Sequence, residues 1–493
     1  MRIRHALAVL TVVPFAAVMT TGAAQKPAAT QKAAAPITFT EQIAPLVYAN
    51  CVTCHRAGEV APFPLVTYED VATRAKQIAR VTGERIMPPW HAEPGYGEFL
   101  DERRLTDAQI ETIRAWVSAG MPRGPVDKMP PMPAFADGWQ LGTPDLVVEM
   151  PEAFEVPASG PDVYRNFVIP ANLPEEKWVK AIEFRPGSRP VVHHALIGFI
   201  RAGSAAGIAA KDGKPGFGGP MPITFVPAFA PAGELDGWAV GQSPHVLPLG
   251  LAKRLPKESD LVVQLHLHPS GKPERERSKV GLYFSSTPPT RRILEPTVPG
   301  LFGLQAGIDI PAGEKAFTVK GVFTFPRDML LVSAMAHAHY LGKEFKAIAT
   351  LPDGSTKPLL WIKDWDFNWQ DRYYYKEPVA MPKGTRIDVT IVYDNSAENP
   401  HNPCTPPQRV QWGLQSTDEM GGIRLQVVPA EENAPPPGPE FAAAIRAALQ
   451  NAAQSEAAKN AAQRFAEQQK RFREGLIAPG GCEAGNRDRD RNP

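Results

Sequence analysis

Four short stretches of this chain carry side chains that hold metal ions: Val192-His193-His194-Ala195, Gln264-Leu265-His266-Leu267-His268, His337-Ala338-His339 and Thr417-Asp418-Glu419-Met420. Imidazole suits several first-row metals, and a thioether adds the soft sulfur that favours Cu(I). Histidines with one methionine are therefore a donor set for copper that changes oxidation state. Random placement of 11 histidines gives only about 0.5 pairs at the two closest spacings, against three here. A fifth stretch, Cys51-Val52-Thr53-Cys54-His55, has the C-x-x-C-H spacing in which two thiols bond the vinyl groups of a haem and the histidine ligates its iron. All five stretches predict one-electron chemistry.

The spacing says what must position these residues. In a strand, side chains alternate between faces, so His337 and His339 share a face, as do His266 and His268. Adjacent His193 and His194 point opposite ways unless the backbone bulges there, and only a bulge lets both meet one ion. Strand signals surround them. Lys180–Phe184 before Pro186-Gly187 and Ile387–Ile391 after Lys383-Gly384 read as strands bounded by turns. The 53 prolines, spread along the chain, also suit short strands and turns better than long helices.

Around the C-x-x-C-H stretch the pattern turns helical. Leu105 to Gly120 places Ile110, Ile113, Trp116 and Val117 on one helical face, with Thr106 and Gln109 as a capping box and Gly120 and Pro122 as a stop. Residues 37–125 therefore resemble cytochrome c. In the loop Arg85-Ile86-Met87-Pro88-Pro89-Trp90, prolines hold an extended backbone that aims the Met87 sulfur at the haem iron, with Met121 and His91 as alternative distal ligands. Five prolines between Pro122 and Pro133 make a stiff connection, and residues 126–138 are read as a linker.

At 493 residues the chain divides into about three domains. Lys plus Arg number 53 against 52 Asp plus Glu, a net charge of +1, which supplies no field for nucleic acid or anionic membrane. Arg2 and Arg4, the apolar Ala6–Met19 and the small Ala23 and Ala24 read as a secretory signal over residues 1–24. This predicts a periplasmic or secreted protein with no membrane span after cleavage; a retained anchor is the alternative. Four cysteines are too few for a disulfide framework, and Cys404 and Cys482 are the one pair left to bond. Residues 431–493 begin with a proline run and continue as an Ala- and Gln-rich helical tail, solvated or weakly docked, whose last residues from 477 lack a folding pattern.

The order of the motifs Val192–Leu196, Gln264–His266, His337–Gly342 and Asp418–Met420 resembles the copper type II, ascorbate-dependent monooxygenases, the family of peptidylglycine α-hydroxylating and dopamine β-monooxygenases. The resemblance covers residues 140–430. It implies two all-β jelly-roll sandwiches, at residues 139–290 and 291–430, following the all-α cytochrome c-like domain and facing each other across a solvent-filled cleft. One copper would be held by His193, His194 and His266 and relay electrons. The second, held by His337, His339 and Met420, would meet dioxygen and substrate.

The implied activity is hydroxylation of a C–H bond in a small-molecule or peptide substrate. It needs two copper ions and one covalent haem, with electrons from the haem, from a redox partner protein docking there, or from ascorbate. A non-catalytic haem and copper electron-transfer or copper-binding protein is the rival. Two departures bear on this reading. Peptide-amidating members carry an arginine two residues before the H-x-H pair, where this chain has Met335, which argues against a glycine-extended peptide. His268 is additional to the pattern, as a substitute for His266, a hydrogen-bond partner or a proton shuttle. The aromatic run Trp361, Trp365, Phe367, Trp369 and Tyr373–Tyr375 is read as strand packing, with a substrate or electron route as the alternative.

Overall fold

The computed structural model describes residues 36–473, apart from 58, 60, 136–137, 161, 206–212, 219–231, 240–241, 249, 305, 414–415, 436–437 and 453–455. The expected signal, Cys482 and the end of the tail lie outside the described residues. Antiparallel sheets dominate. Period-two patterning builds them: in the strand Arg386–Tyr393, Ile387, Val389, Ile391 and Tyr393 are buried while Arg386, Asp388, Thr390 and Val392 face outward.

Four sheets pair into two layered units. In the first unit, a sheet ordered Leu146–Glu149, Lys279–Phe284, Lys177–Arg185, Lys253–Leu255 faces one ordered Phe217–Gly218, Val163–Pro170, Ser259–Leu267, Val192–Arg201, Gly233–Ala239. Val280 and Leu282 from the former meet Ala195, Ile197 and Val263 from the latter in one apolar core. In the second unit, Thr297–Val298, Gly421–Pro429, Met329–Ala338 and Arg372–Met381 face Phe317–Thr324, Arg386–Tyr393, Gly342–Thr350 and Thr356–Ile362. Leu331, Ala334 and Leu425 close on Phe345, Leu360 and Ile391 there.

The amino-terminal helices lie within residues 39–118. The helix Asp107–Ser118 starts at Thr106 with the capping box to Gln109, and Ile110, Ile113 and Trp116 are buried against Phe39, Leu46 and Val47. The connection that follows is not a free spacer. Val126–Lys128 makes a single 3-10 turn, and Met129 and Phe135 fold back on the helical core, with Arg56 over the Phe135 ring.

The helical region is also not purely α-helical. Between its last two helices the chain extends along the edge of the second sheet unit. Ala92 bridges to Ile362 and Phe99 to Tyr375, and the Glu93 and Leu100 amides donate to the Trp361 and Tyr374 carbonyls at 2.7 and 2.8 Å. Trp90 packs edge-on to Tyr373 and Phe99 packs against Tyr375. Proline-rich backbone with aromatic side chains suits this docking, because it satisfies its donors on a neighbouring strand edge rather than within a helix. Most of the aromatic run at 361–375 is thus packing, as its composition indicated.

The tail helices Pro439–Ala452 and Glu456–Arg473 dock too: Phe441 and Ala461 are buried in the second core, and Phe465 meets Trp412 edge-on. No described helix is long and apolar enough to cross a membrane.

Phe99 is 2% exposed and belongs to the second unit's core although it lies in the amino-terminal region. Phe99→Ala is expected to lower stability by about 3–5 kcal/mol and to expose the 88–104 segment to proteolysis. Urea unfolding and limited digestion check this, and an unchanged midpoint would contradict the docking.

Candidate metal centres

The bulge expected at the adjacent histidines is present. Val192 pairs with Leu267 and His194 with His266, leaving His193 as the extra residue on its strand. Both imidazoles therefore reach the side of the sheet where His266 stands. The Nδ1 atoms of His193 and His194 lie 3.1 Å apart, and those of His194 and His266 3.3 Å apart. Nitrogens ~2.05 Å from a tetrahedral ion are roughly 3.3 Å from one another, so these three are placed to share one metal.

The outer nitrogens decide which atoms carry protons. His266 Nε2 donates to Asp162 Oδ2 at 2.6 Å. His193 Nε2 faces Asn368 Oδ1 at 3.1 Å, and Asn368 is oriented by its Nδ2, which donates to Asp366. Both rings thus hold their proton on Nε2 and turn an Nδ1 lone pair inward, the arrangement that outer hydrogen bonds impose on metal-bound histidine. Burial, followed by repulsion from His266, pushes His193 down to about 3 and His194 well below the usual range. Neutral imidazole is the ligand form.

Asp162 settles the place of His268. Its other oxygen accepts from His268 Nδ1 at 2.6 Å, so His268 supports the carboxylate that orients His266 and stands outside the set of three. Burial works to raise the Asp162 carboxyl, but hydrogen bonds from the two histidines hold it well below the ordinary range. Tyr164 stacks on His266 with ring centres 4.2 Å apart and an interplanar angle of 15°.

In the second unit, the His337 and His339 rings stand 5.4 Å apart and perpendicular. His337 Nδ1 donates to Gln370 Oε1 at 2.6 Å, and Gln370 Nε2 in turn donates to the Phe367 carbonyl, which fixes the amide orientation. His339 Nδ1 donates to the Asp418 carbonyl at 3.1 Å. Here the protons sit on Nδ1 and the lone pairs on Nε2, opposite to the first set. Burial brings His337 down to about 4.

Met420 is held beside this pair by register and by one buried carboxylate. Ala338 pairs with Gly421, so Met420, one step on, is level with His339. Glu419, fully buried, accepts the backbone N–H groups of His339, Leu341 and Met420 at 2.6 to 2.9 Å. It ties both segments together, and burial pushes its carboxyl up to about 8. The Tyr393 hydroxyl donates to the Met420 carbonyl, and a side chain at Gly421 would collide with that hydroxyl.

The two sheet units touch beside the histidines, while His193, His194 and His337 each keep part of their surface accessible. Phe367, 6% exposed, stacks on His193 at 17° and meets His339 edge-on with centroids 6.2 Å apart. Tyr164 hydrogen-bonds Ser416, and Arg424 ion-pairs with Glu234 across the junction. An apolar ring thus contacts a histidine of each set. Met335 lies between Arg424 and Arg372 on the flanking strands, but these guanidiniums are paired with Glu234 and Glu295.

In the helical region, Cys51 and Cys54 are free thiols, and burial pushes Cys51 up to about 12. His55 Nδ1 donates to the Phe63 carbonyl at 3.1 Å, leaving Nε2 for an iron. Cys54 borders a small solvent-open cavity of about 90 Å³ shared with Arg56, Trp238, His245 and Tyr374. Two free thiols and an imidazole with its Nε2 unprotonated are the donor types that covalent haem attachment uses. Of the distal candidates, Met87 is half-buried on its loop. Met121 packs on the helical core, and the His91 ring bonds the Asp364 backbone with its Nε2 buried and without a partner. Cys404 is disulfide-bonded.

Asp162, Asn368, Gln370 and Glu419 were not singled out in the sequence. Asn368 and Gln370 hide among the aromatics of Trp365-Asp366-Phe367-Asn368-Trp369-Gln370. Asp162 acquires meaning only through the pairing of Tyr164 with His266.

No protein family's sequence profile matches the chain, and no curated protein matches it. Among solved structures it is similar to PNGF-II, at 10% identity over 58% of this chain and 65% of that one, just under two thirds, with a TM-score of 0.25. It is similar also to infectious bursal disease virus Gx strain, at 8% identity over 62% and 76% of the two chains with a TM-score of 0.18. Allantoicase aligns at 13% identity over 55% and 80%, with a TM-score of 0.15. Likeness this low carries no functional argument.

Removing the carboxylate behind a metal-bound histidine typically costs about 10–100-fold in affinity. Asp162→Ala should weaken copper binding at the first set by that factor and leave the His337 set unchanged. Competitive titration with a Cu(I) chelator measures it; equal affinity in the variant would contradict the role given to Asp162.

Proposed function

We propose that this chain is an exported copper monooxygenase that hydroxylates a C–H bond of an organic substrate, with reducing equivalents arriving through a c-type haem, from ascorbate, or from both. The observation that carries the proposal is the opposed arrangement of two histidine sets. Three Nδ1 atoms converge in one set, the Nε2 atoms of His337 and His339 are left without their protons beside Met420 in register in the other, and Phe367 contacts both sets. In this reading the layered units are the jelly rolls implied by the motif order, and the helical region is a cytochrome c domain with Met87 as its distal ligand.

Copper in the two sets would store one electron each and, at the set with sulfur, bind dioxygen. The residues of the chain prepare for that chemistry. Asn368 and Asp162 hold the protons of His193 and His266 away from the first set, while Gln370 and the Asp418 carbonyl do the same at the second. Glu419 fixes the His339 and Met420 backbones against one another. Phe367 packs on His193 and on His339 and would cover one side of a metal held at either set. An all-histidine set beside a set with thioether is the division of labour that separates electron relay from oxygen binding. With Arg372 and Arg424 ion-paired, the surroundings of His337 favour a substrate without a carboxylate.

Copper-dependent oxygen consumption with ascorbate as reductant tests the proposal. Met420→Leu should lower it by at least about tenfold, as loss of a ligating group does, while the haem spectrum and copper content at the first set stay as in the parent protein. A rate unaffected by Met420→Leu would favour an electron-transfer protein instead.

A further inference from the structure

The carboxy-terminal tail has no part in the proposed function, yet both of its helices pack on backbone that leads to the second histidine set. From the helix Pro439–Ala452, Leu449 lies against Gly300, where any side chain would collide with it. From the helix Glu456–Arg473, Phe465 meets the Trp412 ring edge-on with centroids 5.6 Å apart, and Arg464 bonds Gln411 beside it.

Trp412 reaches both histidines of the set. Its indole Nε1 donates to the Phe302 carbonyl at 3.0 Å, and the Phe302 ring stands edge-on to His337 with centroids 5.2 Å apart. Its backbone bridges to Glu419: the Glu419 amide donates to the Gln411 carbonyl and the Gly413 amide to the Glu419 carbonyl, each at 3.0 Å. Glu419 in turn carries the carboxylate that accepts the His339 and Met420 amides.

The turn bearing Phe302 is strained. Leu301 and Phe302 take φ of 51° and 49°, the left-handed region that residues with a side chain seldom enter. Such backbone persists only where its surroundings over-determine it. Leu301 is 41% exposed, so burial of its own side chain does not hold the turn. The holding contacts are the hydrogen bond from Trp412, the seat of Gly300 on Leu449 and the Arg424 guanidinium 5.1 Å from the Phe302 ring centre. Gly422, which pairs with His337, has no side chain to take the place that the Phe302 ring occupies.

We infer that the carboxy-terminal tail is a positioning clamp for the second histidine set, acting through Trp412 on Phe302 and His337 and on the segment that carries Glu419 and Met420. Where it concerns a metal at this set, the inference rests on the proposed function. With the tail docked, the Phe302 ring limits rotation of the His337 imidazole, whose Nδ1 is held by Gln370. With the tail displaced, Leu301 and Phe302 relax to ordinary backbone and the ring leaves His337. The first set keeps its outer partners, Asp162 and Asn368. The rival reading makes the tail packing alone, through Phe441 and Ala461 in the second core. Packing alone lowers stability and leaves both sets alike, whereas a clamp acts on one set.

The test uses the full chain in two arms. In the metal-free arm, amide hydrogen exchange is followed over residues 299–304 and 416–422. Phe465→Ala and Leu449→Ala should speed exchange in both segments by about tenfold or more, as local opening does, and Phe465→Tyr should stay near the parent protein. In the metal arm, Cu(I) is titrated against a chelator in a His194→Ala background, which isolates the second set. Phe465→Ala and Trp412→Phe should weaken binding there by about 10–100-fold, as loss of an outer support of a ligating histidine does. In a His339→Ala background, which isolates the first set, they should stay within about threefold of the parent. Trp412→Phe keeps the ring packing and removes the hydrogen bond to Phe302, so it decides the matter should Phe465→Ala not fold.

Parent-like affinity at the second set in both Phe465→Ala and Trp412→Phe, or equal weakening at both sets, would overturn the clamp while leaving the copper reading intact. Absence of copper binding in the unmodified His194→Ala background would overturn the copper reading of the second set. The exchange arm then decides the clamp by itself: faster exchange in both segments upholds it, and exchange quickened only in the tail helices overturns it.

Discussion

Two imidazole lone pairs aimed at a third imidazole nitrogen from 3.1 and 3.3 Å repel one another unless a cation or a proton lies between them. The first histidine set is built around that constraint. Burial disfavours the proton as the solution, and His193 and His194 are both held toward the neutral form. The outer hydrogen bonds of His193 and His266 prevent either ring from turning its N–H inward. What remains is the Nδ1–H tautomer of neutral His194, which bonds one neighbour at a time, or a metal ion shared by all three nitrogens, and much of the surrounding structure serves to keep the nitrogens in this geometry: the bulge at His193, the carboxylate of Asp162 and the stacked Tyr164.

The two histidine sets are mirror solutions to one problem. One presents Nδ1 atoms and the other Nε2 atoms, and in each the choice is made by a partner on the opposite nitrogen. Asn368, from the second unit, chooses for His193 in the first, so the first set is complete only when the units are docked. Phe367 joins the two sets, because the ring that stacks on His193 is also the ring that meets His339. Docking of the 88–104 segment on the same unit sets Arg103 against Asp371, at the far end of the loop that carries Phe367, Asn368 and Gln370. One short loop thus joins elements separated in sequence by some of the longest intervals in the chain.

Much of this was legible in the sequence for identifiable reasons. Strand periodicity put His337 and His339 on one face, and the adjacency of His193 and His194 demanded a bulge that the strand pairing contains. Thr106, Gln109 and the spacing of Ile110, Ile113 and Trp116 predicted the helix Asp107–Ser118. What escaped depends on contacts between distant residues. Asp162 is an ordinary acidic residue at a strand start until the register places it by His266. The polar residues of the 364–371 segment are masked by the aromatics around them. The contacts of Phe367 with both units were not foreseen because local patterning does not say how two sheet units meet, and the tail reads as weakly docked because few of its side chains, notably Phe441, Ala461 and Phe465, make the contacts.

The most direct test of the account is metal content against haem content in the full chain after loading with copper, with the Cu(II) spectrum recorded for each addition. The account predicts two copper ions per covalently bound haem, the first with all-nitrogen coordination that is lost in His194→Ala and the second lost in His339→Ala. Fewer than one copper per haem, or copper retained with an unchanged spectrum in both variants, would contradict it.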